Sequence, residues 1–166
     1  MNVLVWFKRD LRVEDHPALA LAAAKGRVLP VYIAEPGLWR QPDRSGRHWA
    51  FTTEALCELR EALGRIGLPL VLRVGEAVQV LERLVRLHDI SEIVSHTEAG
   101  CGWSAARNAR VAEWARAAGL RWSELLPEAE GPATEWRAVE GVEPGPIPPA
   151  RALGLAEDPC PHRQQG

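Results

Sequence analysis

The sequence lacks the motifs that identify several common classes of protein. Neither GxGxxG nor GxxxxGK[ST] occurs among its 166 residues, which counts against an ordinary dinucleotide-binding or P-loop enzyme. Its three cysteines are widely spaced and form no CxxC pair, so a disulfide framework is excluded and a thiolate metal site is not expected. The five histidines show no HxxxH spacing, and no GxSxG elbow occurs. The motifs therefore assign neither a metal ligand nor a catalytic residue.

Charge of one dominant sign and long apolar runs are also missing. Twenty basic and 22 acidic residues give a net charge of −2, whereas a domain that binds nucleic acid through its phosphates is usually more basic. No stretch approaches the roughly 18 apolar residues of a membrane span, and Met1 leads directly into a predicted strand rather than a signal peptide. We therefore expect a cytoplasmic protein with no membrane segment and no direct DNA binding by this chain alone.

Proline and charge divide the chain near residue 125. Eight of the 13 prolines lie in the last 41 residues, which also carry seven acidic but only three basic side chains. This tail shows no apolar periodicity. We expect residues 1–125 to form one globular domain and residues 126–166 to form an extended, proline-rich, acidic linker.

The first 125 residues alternate short β-rich runs with amphipathic helices. Asp15 is a candidate N-cap for the first helix, and Pro30 in the second strand favours a bulge or a less central position. Five strands separated by four helices predict an α/β fold, a Rossmann-like, doubly wound parallel sheet in the order 3-2-1-4-5 with helices on both faces. The strands are predicted at 2–7, 27–33, 70–74, 92–95 and 121–125.

Ligands of such sheets bind at the carboxyl ends of the strands, which here are followed by loops 8–14, 34–44 and 96–103. The run Lys8-Arg9-Asp10-Leu11-Arg12 could hold an anionic ligand there, although a surface turn of mutually neutralising charges explains it too. His96 is the only histidine placed to face a ligand, and a structural role explains it as well. The ligand stays open at this point. Four tryptophans are predicted on or beside the same face: Trp6, Trp39, Trp49 and Trp103. Their rings could stack on a planar heterocycle, and ordinary packing in the core explains most of them equally well.

Residues 6–19 resemble the amino-terminal signature of the photolyase/cryptochrome family. They read WFKRDLRVEDHPAL against the usual WFRxDLRxxDNxAL, with His16-Pro17 where the family often has Asn and another residue. Residues 43–51 and 96–103 are similar to two further stretches in one bacterial branch of that family. The resemblance covers about residues 1–125.

The resemblance implies an antenna-chromophore domain. In that family the amino-terminal α/β domain binds, in many members, a flavin, deazaflavin, folate or lumazine, and catalysis belongs to a large helical domain that holds FAD and the damaged DNA. We expect the helical domain to be missing here, FAD not to be bound, and the chain to be inactive as a photolyase alone. The residues expected to line the chromophore crevice are Phe7, Lys8, Arg9, Asp10, Leu11, Glu35, Glu98 and Trp103.

Two other hypotheses remain open. The chain could be an interaction module that docks a FAD-binding helical domain, in cis or in trans, through the strand-end face. It could also be a nucleotide-binding α/β protein related to stress-type ATP binders, although Gly100-Cys101-Gly102 matches their glycine-rich motif poorly. A part in DNA photorepair or blue-light sensing is expected only when the chain is joined to an FAD domain.

Overall fold

The structure is a computed structural model that describes residues 1–42, 46–98, 102–127 and 135–155. Its strands are β1 (Asn2–Phe7), β2 (Arg27–Ala34), β3 (Val71–Val74), β4 (Ile90–His96) and β5 (Arg121–Leu125). Its helices are α1 (Pro17–Lys25), α2 (Pro36–Trp39), α3 (Gly46–Arg65), α4 (Ala77–His88) and α5 (Gly102–Ala117), followed by a 3₁₀ turn at Ala150–Leu153. No helix in these described ranges is both long enough and apolar enough to cross a membrane.

All five strands are parallel and lie in the order β3-β2-β1-β4-β5, which confirms the predicted fold class and topology. The central strand β1 is buried on both faces, as its continuous apolar run predicts. Val3 and Val5 pack with residues of α1 and α3 on one side of the sheet, whereas Leu4 and Trp6 pack with residues of α4 and α5 on the other. Helices therefore cover both faces.

Pro30 is accommodated in β2 without a bulge. It pairs with Val5 of β1 in uninterrupted register, and β2 lies one strand from the edge of the sheet. Pairing between β2 and β3 starts only at Val31. The nitrogen of Pro30, which cannot donate a hydrogen bond, therefore lies before the first residue that pairs with β3. Of the two predicted alternatives, a bulge or a less central position, the structure shows the less central position.

Residues 135–155 pack against the sheet domain, which differs from the extended linker predicted for the tail. We call this segment the strap. Its side chains Val139, Ala150 and Leu153 are buried in the same clusters as the sheet. The indole Nε1 of Trp49 in α3 donates to the carbonyl of Pro148 at 3.0 Å. Apolar residues scattered among the prolines therefore reach the core without helical or strand periodicity. The domain boundary at residue 125 stays a prediction.

The strap also covers the open edge of the sheet beside β3. The backbone nitrogen of Leu72 donates to the carbonyl of Pro144 at 2.7 Å, and the guanidinium of Arg73 donates to the same carbonyl at 3.1 Å. In the part of β2 that precedes its pairing with β3, Val28 forms a parallel bridge with Ala138 of the strap. Unpaired strand edges invite pairing with other chains, so this cover protects β3.

Replacing Gly145 tests how closely the strap approaches β3. Gly145 has φ +82°, and a Cβ at that position would lie 2.7 Å from the carbonyl oxygen of Leu72. We expect Gly145→Ala to lower the free energy of unfolding in urea by roughly 2–4 kcal/mol, because overlap adds to the left-handed backbone strain. Gly141→Ala is the matched control, since Gly141 has φ +73° with nothing within 4 Å of the added Cβ. It should cost only about 1 kcal/mol, and equal losses in the two variants would contradict the close approach.

Candidate functional site

Three loops that the topology brings to one edge place charged side chains in contact. Lys8 follows β1, Glu35 follows β2 and Glu98 follows β4, and Arg107 reaches them from α5. We call these four residues the buried charge cluster, because each side chain is at most 8% exposed. Buried charges are stable only when they are paired, so their mutual contacts fix the geometry of this edge.

Arg107 is the centre of the cluster. Its Nε lies 3.1 Å from Oε1 of Glu35, and its Nη1 lies 3.0 Å from Oε1 of Glu98. Nη1 also donates to Oδ1 of Asn108 at 2.7 Å. The Nζ atom of Lys8 lies 3.3 Å from the same Glu98 oxygen. One guanidinium therefore ties the end of β2 to the end of β4, across β1.

Tryptophan rings enclose the two cations of the cluster. The Nζ of Lys8 lies 4.7 Å from the ring centroid of Trp6 and 5.7 Å from that of Trp122. The Cζ of Arg107 lies 4.9 Å from the centroid of Trp6 and 5.5 Å from that of Trp103. Cation–π attraction replaces part of the hydration that both cations lose on burial. This packing gives Trp6 and Trp103 defined places beside the predicted ligand face.

Burial and neighbouring charges perturb the two acids of the cluster differently. Burial raises the pKa of Glu35 to about 7, although the charge of Arg107 opposes the shift. Burial also acts against ionisation of Glu98, but the charges of Lys8 and Arg107 outweigh it and hold the pKa of Glu98 below its usual value. Burial also lowers the pKa of Lys8, although the charge of Glu98 opposes that shift. Near neutral pH the cluster therefore holds the carboxylate of Glu98 and a Glu35 carboxyl group that is partly protonated.

A second cluster, made of Asp10, His16 and His96, lies beside the first. Oδ2 of Asp10 is 2.7 Å from Nε2 of His16 and 2.9 Å from Nδ1 of His96. The other nitrogen of each ring accepts a backbone N–H from α1: Nδ1 of His16 from Leu19 at 3.0 Å, and Nε2 of His96 from Ala18 at 3.1 Å. A nitrogen that accepts carries no hydrogen, so His16 donates to Asp10 from its Nε2, whereas Nδ1 of His96 lies in contact with the same carboxylate oxygen. We call this the Asp10–histidine cluster.

These tautomers oppose metal binding, although the three ligand atoms lie within 4.8 Å of one another. A neutral imidazole that binds a metal through one nitrogen carries its hydrogen on the other. In His16 and His96 that other nitrogen faces a backbone N–H of α1. A metal ion would therefore break the hydrogen bonds at the start of the helix.

Hydrogen bonding keeps Asp10 ionised. Burial alone would raise the pKa of Asp10, but the bonds from His16 and His96 and from the backbone nitrogen of Lys8 hold it far below the usual range. Burial lowers the pKa of His16, and the attraction of Asp10 only partly opposes that shift. The carboxylate of Asp10 therefore stays ionised beside a His16 ring whose pKa is lowered.

A cavity of about 250 Å³ opens beside both clusters. A larger groove of about 410 Å³ lies at the opposite, amino edge of the sheet, between Asn2, His88 and Glu140 of the strap. That groove borders neither of the two clusters, so we take the smaller cavity as the candidate site. Its lining consists of Lys8, Arg9, Asp10, Arg12, His96, Thr97, Glu98 and Pro127.

The structure separates the predicted site residues into two groups. Lys8, Arg9, Asp10 and Glu98 line the cavity. The remaining four lie away from that lining: Glu35 in the buried charge cluster, Trp103 over Arg107, Leu11 partly buried against the core, and Phe7 fully buried.

Phe7 does not belong with the residues that could touch a ligand. It is 0% exposed, and its ring packs on His16 with the centroids 4.7 Å apart. As the last residue of β1, it points to the same side of the sheet as Val3 and Val5. Strand parity therefore directs its side chain into the core on the side of Val3 and Val5, and a role for Phe7 in sandwiching a ring stays a prediction.

Sequence reasoning missed Arg107 and His16 as site residues. Arg107 lies in the buried stripe of α5 with Ser104, Val111 and Ala115, and a charged residue in such a stripe is a detectable signal. His16, rather than Asp15, is the N-cap of α1. Asp15 adopts φ +52°, which places it before the helix.

Comparison with known proteins gives a consistent picture. The family model described as DNA photolyase matches residues 3–126. Deoxyribodipyrimidine photo-lyase of Salmonella typhimurium is 38% identical over 96 residues, which cover 54% of this chain and 20% of that protein. Cryptochrome DASH of Natronomonas pharaonis is 28% identical over an alignment 202 positions long, and that alignment covers 98% of this chain and 42% of that protein. The chain thus spans less than half the length of these curated relatives.

Solved structures show the same likeness in three dimensions. The archaeal photolyase from Sulfolobus tokodaii superposes with a TM-score of 0.68 at 29% identity, over 76% of this chain and 29% of that one. Its structure is described as containing two FAD molecules, with the implication of a novel light-harvesting cofactor. A class III photolyase from Agrobacterium tumefaciens superposes with a TM-score of 0.66 at 28% identity, over 74% of this chain and 25% of that one.

Removing the central guanidinium tests whether the buried charge cluster is one unit. Arg107→Met leaves two buried acids with only Lys8 as a cation, so we expect the free energy of unfolding in urea to fall by about 3–5 kcal/mol. Arg110→Met is the control on the same helix, because Arg110 is 50% exposed and lies 3.6 Å from Glu76. It should cost less than about 1 kcal/mol. Similar losses in both variants would show that Arg107 is not the centre of the cluster.

The raised pKa of Glu35 gives unfolding a specific pH dependence. Between the ordinary value and about 7, folded Glu35 keeps a proton that the unfolded chain has released, so rising pH lowers the stability. Glu35→Gln removes this effect. We expect its stability relative to the wild type to rise with pH across that window by up to about 3 kcal/mol, measured by urea unfolding. Glu113→Gln, on an exposed part of α5, supplies the baseline. A difference that stays constant with pH would argue against the shift.

Proposed function

Because the chain belongs to the DNA photolyase family, we propose that its α/β domain binds a planar antenna chromophore at the carboxyl edge of the sheet. When bound, such a chromophore supplies the absorption of light. The chain's own residues bind it, orient it and exclude water from its polar edge. The signature at residues 6–19 led to this family, and that recognition is confirmed.

The buried ammonium of Lys8 is the observation that carries the proposal. Its Nζ forms an ion pair with Glu98 at 3.3 Å but has no hydrogen-bond acceptor among the residues that the structure describes, and Lys8 is one of the residues that line the cavity. A buried donor without an acceptor is unfavourable. A carbonyl oxygen or ring nitrogen of a heterocycle in the cavity would satisfy it.

The dimensions of the cavity indicate which part of a ligand it suits. Its volume of about 250 Å³ lies below the roughly 300–1,000 Å³ of typical small-molecule sites. It therefore fits the polar edge of a fused ring better than a whole dinucleotide. Arg9, whose side chain is 58% exposed, lies at the rim, where it can meet an anionic substituent.

A flavin is the first chromophore to test. The Sulfolobus tokodaii photolyase, at 29% identity, is described with two FAD molecules and a light-harvesting role for a cofactor. FAD therefore joins FMN as a probe, although the family resemblance alone does not predict FAD in this chain. Deazaflavin, methenyl-folate and lumazine are the other candidates.

The proposed partner of this domain is an FAD-binding helical domain, joined in cis or bound in trans. Photorepair of DNA or blue-light sensing would require it. Two exposed apolar side chains, Phe51 at 74% and Leu126 at 63%, are compatible with such packing. The domain by itself is proposed to bind the chromophore and to lack photolyase activity.

Substitution of Lys8 separates binding from folding. Lys8→Met keeps the length of the side chain but removes the donor, so we expect the affinity for the bound chromophore to fall about tenfold or more. The free energy of unfolding should fall less than in Arg107→Met, because Glu98 keeps the guanidinium of Arg107 as its partner when the ammonium of Lys8 is lost. Visible absorbance and fluorescence titration with FAD, FMN, deazaflavin, methenyl-folate and lumazine measure the affinity. Arg86→Met, which removes an exposed charge on α4, is the control. Absence of binding by every chromophore to the wild-type chain would refute the proposed function.

A further inference from the structure

The first turn of α1 is held by two imidazole rings instead of an acidic cap. The backbone nitrogens of Ala18 and Leu19 donate to His96 and His16, respectively, and no acidic residue lies in that turn. Both rings also contact the same carboxylate oxygen, Oδ2 of Asp10. The start of the helix therefore depends on two nitrogens that accept only while their rings are neutral.

We propose that the Asp10–histidine cluster is an acid-sensitive latch on α1 and on the loop that borders the cavity. In acid, a proton from solvent adds to Nδ1 of His16. That nitrogen then becomes a donor and can no longer accept the backbone N–H of Leu19. The hydrogen bond is replaced by two N–H groups that face each other, so the closed arrangement is lost.

The charges around the rings decide the direction of the switch. Asp10 attracts the added proton, whereas burial, Arg12 and the neighbouring histidine oppose it at His16. The two rings lie 4.2 Å apart, so their charges repel when both are protonated. From β1 the ring of Phe7 packs on His16, and α1 adds the positive end of its dipole. The closed state therefore binds protons less readily than the open state, and acid favours opening.

Opening reaches the candidate site through the loop after β1. Oδ1 of Asp10 accepts the backbone N–H of Lys8 at 2.9 Å, and Asp10 and His96 both line the cavity. Loss of the hydrogen bond at either histidine therefore weakens the contacts through which Asp10 holds the loop that carries Lys8. This step rests on the proposed function, and it predicts that chromophore affinity falls as the latch opens.

His16 stands at a position where the family signature that this chain resembles usually has Asn. The Oδ1 of an asparagine can accept the N–H of Leu19 as the Nδ1 of His16 does, but it does not titrate. Glutamine is the corresponding replacement for His96, because its Oε1 can reach the position of Nε2. The double variant His16→Asn, His96→Gln therefore keeps an acceptor at both positions and contains neither imidazole ring.

Amide hydrogen exchange of the full chain without chromophore tests the latch. Protection of the Ala18 and Leu19 amides is compared at about pH 8 and about pH 5, corrected for intrinsic exchange, with β1 amides as the internal reference. We expect wild-type protection at these two amides to fall roughly tenfold or more in acid. The double variant should lose little, and the control His48→Asn, on an exposed part of α3, should behave as the wild type. Equal loss in the double variant, or no loss in the wild type, would overturn the proposal.

Two further measurements keep the test decisive. If the double variant does not fold, nitrogen NMR of the wild-type histidines replaces it. The expected result is hydrogen on Nε2 of His16 and Nδ1 of His96 at about pH 8, with the second proton arriving together with the opening of α1. Second protonation while α1 stays protected would overturn the latch. Chromophore titration at both pH values is separate: failure to bind at about pH 8 refutes the proposed function but leaves the exchange result standing.

Discussion

The carboxyl edge of this protein depends on one buried guanidinium. Arg107 contacts the carboxyl groups that follow β2 and β4, and β1 lies between those two strands. Because a buried arginine requires acidic partners, Glu35 and Glu98 cannot move independently. Lys8, which emerges from β1 between them, is then held beside Glu98. The fold thus places a desolvated ammonium at the wall of a cavity, and that placement is the basis of the proposed chromophore site.

Much of this architecture can be predicted from the sequence because it follows from periodicity. The apolar run of β1 indicates a strand buried on both faces, and the alternation of strands with helices leaves few right-handed topologies. The strand order in turn brings the loops after β1, β2 and β4 to one edge. Lys8, Glu35 and Glu98 lie close to one another for that reason. The resemblance at residues 6–19 adds the family, which periodicity alone does not supply.

The parts that the sequence did not predict depend on contacts between distant residues. Phe7 is adjacent to Lys8 in the chain but faces the opposite way, because it is the last residue whose direction the strand sets. His16 and His96 are 80 residues apart, and nothing local indicates that both accept from α1. The strap lacks any periodicity, so its packing over β3 appears only in three dimensions. In all three cases the position of the side chain or segment depends on tertiary contacts, which the local sequence pattern does not show.

The same edge carries two different forms of charge control. In the buried charge cluster burial raises the pKa of the Glu35 carboxyl group to about 7, whereas in the Asp10–histidine cluster hydrogen bonds keep the carboxylate of Asp10 ionised. A crystal structure of the chain grown with a flavin tests the central claim most directly. The account predicts a carbonyl or ring nitrogen of the flavin within hydrogen-bond distance of Nζ of Lys8, with Arg107 still between Glu35 and Glu98. A flavin bound away from the carboxyl edge, with Lys8 still lacking an acceptor, would contradict it.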